Sequence, residues 1–140
     1  MSGNIGTPKR NTPARNVLYS ALIGLTALAI LLQGLWAGIF LQHDGQRENA
    51  SEWIEVHAAG GEVSIVIAAA ATVIAFLKLR NRRDLWIGSG VLTVLLILQA
   101  YLGGLIRDDR KDALTIVHIP LATALMALAV WLPLRARSRG

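Results

Sequence analysis

The run Trp53-Ile54-Glu55-Val56-His57-Ala58-Ala59-Gly60-Gly61-Glu62-Val63-Ser64 governs the reading of everything around it. It opens a long apolar stretch, yet it sets a histidine and two carboxylates where a lipid-facing helix carries none. Ionisable side chains are costly to desolvate in such a stretch, so each is a functional lead. A second histidine, His118, stands at the matching place of a later apolar run. The two are expected to face each other across a helical bundle.

Outward from this stretch, four runs recur, at residues 17–41, 52–77, 85–106 and 113–134. Each holds about 20 residues or more, which at about 1.5 Å per residue crosses a hydrocarbon layer of about 30 Å. The composition agrees, with 54% hydrophobic and 16% charged residues in a chain of 140. The expected fold is all-α: an integral membrane up-down-up-down four-helix bundle occupying residues 16–135, with basic tails at 1–15 and 136–140. The connections are too short for anything but antiparallel neighbours. Asn49 or Ser51 is expected to cap the second helix, with Glu52 completing a capping box from Asn49, and Asp112 to cap the fourth. Pro120 interrupts the fourth run near its outer end.

The net charge of +5 does not imply nucleic acid, because the basic residues flank the apolar runs. Lys9, Arg10, Arg15, Lys78, Arg80, Arg82, Arg83, Arg135, Arg137 and Arg139 fall on one side. Arg47, Arg107, Arg110 and Lys111 fall on the other. This asymmetry predicts a multi-pass protein of a cell membrane, bacterial inner membrane in type, with both termini cytoplasmic. The absence of cysteine excludes disulfides, thiolate metal sites and covalently attached c-type haem. Histidine ligation stays open.

An internal repeat of two helical hairpins is expected. Leu31-Leu32-Gln33-Gly34-Leu35-Trp36-Ala37-Gly38 ends the first run, and Ile97-Leu98-Gln99-Ala100-Tyr101-Leu102-Gly103-Gly104 ends the third. Each segment precedes a polar connection and then a helix with one histidine about six residues, or about 9 Å, inside its start. His57, Gly60, Gly61, Ser64 and Ala68 share a stripe on one helix, and His118, Ala122, Leu125 and Ala129 share one on the other. Small residues below a histidine leave room for a flat macrocycle.

Neutral imidazole is a good iron ligand, and two histidines at equal depth on alternate helices fit the axial pair of a b-type haem. The candidate iron ligands are therefore His57 and His118. Gly60, Gly61 and Ala122 give space, Gln33 and Gln99 lie close enough in depth to support the ring or fix helix pairing, and Arg107 could meet a propionate, as could Arg110 and Lys111. A colourless alternative uses the same groups as glue: a scaffold or accessory subunit joined by polar interhelical bonds. In it Gln33, Gln99 and the pairs Gly34/Gly38 and Ala100/Gly104 bring helices together. Trp36, Trp53, Tyr101 and Trp131 are expected at interfaces or in packing, and His43 in solvent. Glu62 lies about 16 Å inside its helix, opposite the histidine stripe, where bonding to Gln33 or Gln99, proton transfer or a partner subunit could satisfy it.

Glu55-Val56-His57, Leu98-Gln99 with Leu102-Gly103, and His118 with Ala122 resemble one half of haem A synthase, a membrane enzyme that oxidises a methyl group of haem O. The resemblance covers most of residues 17–134. It implies histidines from the second and fourth helices on a haem, and a homodimer or larger membrane complex as the way to rebuild the two-half enzyme. The family usually places its glutamate three residues before the histidine and a basic residue after it, whereas here Glu55 stands two before His57 and Ala58 follows. The chain is also similar in length and layout to small bacterial four-helix membrane proteins, a likeness that implies no activity.

Overall fold

The computed structural model describes residues 16–42 and 47–137, and of residues 47–49 the backbone alone. The tail at 1–15, residues 138–140 and His43 lie outside these residues, as does the side chain of Asn49, whereas Ala136 and Arg137 of the expected second tail continue α4. Four helices account for nearly all the rest: α1, Val17–Leu41; α2, Arg47–Lys78; α3, Arg83–Arg107; and α4, Thr115–Arg137. Each is long and apolar enough to cross a membrane.

Local chemistry sets the ends. The Asn16 side chain accepts a hydrogen bond from the Tyr19 backbone N–H at 3.0 Å, satisfying one of the free donors in the first turn of α1. The second helix starts at Arg47, earlier than its apolar run, so Ser51 lies within it and does not cap it. Hydropathy marks where a helix becomes apolar, whereas the helix itself runs on through polar residues of good propensity. Between α3 and α4 the chain reverses through Arg110, whose φ of 53° is left-handed, and then through a single 3-10 turn at Asp112–Leu114. Asp112 opens that turn and precedes α4 by three residues. Pro120 and Pro133 both sit inside α4, and the helix continues through them.

Each helix packs on two neighbours: α1 on α2 and α4, and α3 on α2 and α4. The diagonal pairs make no close backbone approach. Tyr19, Ile23, Leu85, Leu92, Leu125 and Leu132 fill the narrow centre. Toward it α2 turns Ser64, Ala68, Ala71 and Ala75, all fully buried. Their 4-3-4 spacing makes a stripe without bulk, so neighbouring backbones can close on α2.

The distribution of polarity is inverted from that of a water-soluble bundle. Thr26, Ser64 and Ser89 are buried, while Val66 is 68%, Val94 65% and Ile116 78% exposed. No more than 22% of any span is buried within the chain. If such a surface faces lipid, apolar burial does not drive the helices together, and packing contacts and interhelical hydrogen bonds hold them.

One end of the molecule is laced by such bonds and is called here the arginine end. Tyr19 and Ser89 share a buried hydroxyl–hydroxyl bond of 3.0 Å that joins α1 to α3. Thr72 and Thr93 share another of 3.0 Å between α2 and α3. Asp84 accepts from Arg82 at 3.2 Å and from Arg135 at 3.0 Å, and Arg82 also donates to the Arg135 carbonyl at 2.8 Å. The C-terminal turn of α4 is thus tied to the beginning of α3. The opposite end carries the histidines.

Candidate functional site

In the first hairpin, α1 lies so close to α2 that only glycine fits at position 60. A Cβ there would overlap the Trp36 ring and the Gln33 amide. The Gln33 amide spans one turn of α2; with its oxygen and nitrogen assigned by their hydrogen-bond partners, the nitrogen donates to the His57 carbonyl at 2.6 Å and the oxygen accepts from the Gly61 N–H at 3.2 Å. These atoms are the acceptor and donor of a single i, i+4 helical pair, so the amide reads the turn that carries the histidine. His57 Nδ1 lies 3.2 Å from the Gln33 backbone carbonyl. A carbonyl only accepts, so this contact is a hydrogen bond in the tautomer that carries its proton on Nδ1 and leaves the Nε2 lone pair free. The Gln33 amide nitrogen also comes within 3.0 Å of Nδ1, so this atom has a partner in either tautomer.

The second hairpin repeats the device. Gln99 Nε2 donates to the His118 carbonyl at 2.9 Å, joining α3 to α4. Gly103 faces the His118 ring, where an added Cβ would stand 3.3 Å from Cε1 and 4.0 Å from Nδ1. His118 Nδ1 and Gln99 Oε1 are both buried without a hydrogen-bond partner. Unsatisfied buried polar atoms are uncommon in folded chains.

Across the diagonal the two imidazoles meet, with ring centroids 6.5 Å apart and planes inclined by 57°. Phe40 closes one side, edge-on to His57 at 5.6 Å. His57 Nδ1 faces Gln33 of its own hairpin, whereas the His118 ring sets its Cε1 against Gly103 of its own. Among the described residues no group of three or more potential ligands gathers to hold a metal. Any ion between these rings would have to bring its other ligands with it.

The remaining expected residues are dispersed. Ala122 is half-buried below His118. Gly61 opens on empty space, whereas the space at Gly60 is filled by Trp36 and Gln33. Gly34 and Gly38 are exposed with nothing near them, and Ala100 is exposed too, so these small pairs do not join helices within the chain. Arg107 makes a two-pronged pair with its neighbour Asp108, at 2.6 and 3.0 Å, and holds that carboxyl below the usual carboxylate range. Arg110 and Lys111 are exposed. Glu55 and Glu62 are exposed on α2, and Arg107 lies within reach of their fields. Both glutamine amides are turned to the histidine helices and away from Glu62.

Sequence reasoning passed over Tyr19, Ser89, Thr72 and Thr93, which join the helices at the arginine end. A hydroxyl at helical spacing in an apolar run was the available signal. It also passed over Asn16, whose place before the first run marks a cap. Compared with known proteins, the chain matches no family model, no curated protein and no solved structure.

Proposed function

We propose that the protein is a multi-pass membrane protein, an up-down-up-down bundle of two repeated hairpins with both termini cytoplasmic, that holds a b-type haem between His57 and His118. The observation that carries this reading is the 6.5 Å spacing of two imidazoles from diagonal helices. Two imidazole nitrogens about 2 Å from one metal ion put their ring centroids about 6 Å apart. Two ligands are too few for a bare zinc-like ion, which takes four. They suit an iron that already has four equatorial nitrogens.

The polar groups support the same reading. The Gln33 carbonyl accepts from the Nδ1–H tautomer of His57, the form whose Nε2 could bind iron. Gln33 and Gln99 fix the two histidine-bearing turns, so the imidazoles are positioned before any ligand arrives. Bound haem would supply one-electron chemistry near the membrane face, for electron transfer or haem handling. Gly61 and Ala122 would border the ring, and Arg107 would have to exchange Asp108 for a propionate.

A reduced-minus-oxidised absorption spectrum of protein purified from haem-sufficient cells tests this. A sharp reduced α-band is expected, lost in His57→Ala and in His118→Ala while both variants still insert. Stoichiometric haem in both variants would end the proposal. The second reading is the scaffold, which the paired glutamine clips favour because each ties its two helices together through the chain's own groups. It expects a colourless protein in which Glu62→Leu disturbs assembly more than His57→Ala does.

A further inference from the structure

At the arginine end, the turn between α2 and α3 carries a feature that the haem reading does not use. The Arg80 guanidinium lies over the Phe76 ring, 4.9 Å from its centroid. Phe76 in turn meets Trp86 of α3 edge-on at 5.7 Å and 82°. A chain of contacts thus fixes Arg80 on an aromatic shelf that bridges two helices. Lys78 and Arg83 flank it, and all three cations are exposed. The carboxylate of this turn, Asp84, is directed to Arg82 and Arg135.

We infer that this shelf binds the phosphate headgroup of an anionic phospholipid. A guanidinium held over a ring still presents N–H groups to solvent, and their fork matches two phosphate oxygens. Stacking also removes much of the side-chain freedom that phosphate binding would otherwise have to freeze. The surface just below is apolar and open: Val73 is 54%, Leu77 59% and Ile87 47% exposed. A free phosphate would gain nothing from that face, whereas an acyl chain would lie along it. Charge complementarity therefore selects an anion, and the adjoining apolar face selects a lipid. The inference rests on the bilayer part of the function proposed above and is independent of the haem.

Native mass spectrometry of the full chain in mild detergent, titrated with phosphatidylglycerol or with phosphatidylcholine of the same chains, tests it. Phosphatidylglycerol should be retained in preference. Each exposed cation near a membrane surface contributes about fivefold to the binding of anionic lipid, so Arg80→Gln/Arg83→Gln should weaken retention by roughly 25-fold. Phe76→Leu keeps the apolar surface and all the charges yet frees Arg80, so a loss of about two- to fivefold should follow. Arg137→Gln, at the same end but off the shelf, should change retention little. Equal retention of both lipids, an equal loss in Arg137→Gln, or displacement of the lipid by inorganic phosphate would each overturn the inference. A colourless protein would leave it standing.

Discussion

Alanine at position 60 and alanine at position 61 should have opposite effects on stability. At position 60 the new methyl group meets the Trp36 ring and the Gln33 amide. Overpacking of this kind costs about 1–3 kcal/mol. Moving the Gln33 amide also weakens its bond to the His57 carbonyl, a class of membrane hydrogen bond worth about 0.6 kcal/mol and at most about 1.7. Against this, replacing a mid-helix glycine by alanine gains about 0.5–1 kcal/mol. The net expectation for Gly60→Ala is a loss of about 1–3 kcal/mol. At position 61 the added methyl meets nothing within 4 Å, so only the helix gain is left. The neighbours should thus differ by about 2–4 kcal/mol, or roughly 5–15 °C in Tm at about 2–4 °C per kcal/mol. Thermal and SDS-induced unfolding in mild detergent, followed by circular dichroism without added haem, measures the difference. If the two variants shift together, or Gly60→Ala is the more stable, the close contact between α1 and α2 is refuted.

Gln33→Leu and Gln99→Leu should each cost about 0.6–1.7 kcal/mol, and the double variant about the sum, since the clips lie in different hairpins; strong non-additivity in the same unfolding assay would show that they share partners. Tyr19→Phe should cost about 1–2 kcal/mol by stranding the buried Ser89 hydroxyl, and Tyr19→Phe/Ser89→Ala should recover part of it; a double-mutant cycle with no coupling would remove that bond from the account. For pH, Arg107 lowers the Asp108 midpoint, so the contribution of the pair is fully present above the ordinary carboxylate range and is lost as pH falls through the lowered midpoint. Carboxyl NMR should show the Asp108 midpoint rising in Arg107→Gln, and an unmoved midpoint would contradict the pairing. The pair is exposed, so global stability should change little.

The four spans were legible because a bilayer crossing demands a length of apolar residues that few other structures need, and the helices enclose the first three runs and all of the fourth but residues 113–114, which form the 3-10 turn. Their polar extensions were not, since Arg47 to Ser51 extends α2 by helix propensity, which hydropathy does not register. The histidines were found from their depth, and Gln33 and Gln99 from the likeness of two segments. What the amides would bind was hidden, because their targets are backbone carbonyls and every residue has one. Glycine spacing misled in the opposite way. Gly34 and Gly38 have the familiar interval but open outward, while the glycines that permit close approach are Gly60, Gly88 and Gly103, scattered in sequence and each opposite a bulky side chain. Interval identifies a face, and only the partner helix decides whether that face is used.

The lacing of the bundle has a mechanical consequence. The bonds between the two hairpins, Tyr19 to Ser89 and Thr72 to Thr93, lie in the arginine half. At the other end the glutamines tie α1 to α2 and α3 to α4, each within its own hairpin. The molecule is therefore built like a spring peg, with its pivot among the hydroxyls and its jaws at His57 and His118. Opening the jaws would break no bond described between the hairpins. In the haem reading proposed above, a flat ring would enter between the jaws without the helices unwinding. The separation of the histidine-bearing turns of α2 and α4, followed by a pair of spin labels, should then vary more than that of the turns around Tyr19 and Ser89, with the contrast shrinking once a guest bridges the rings.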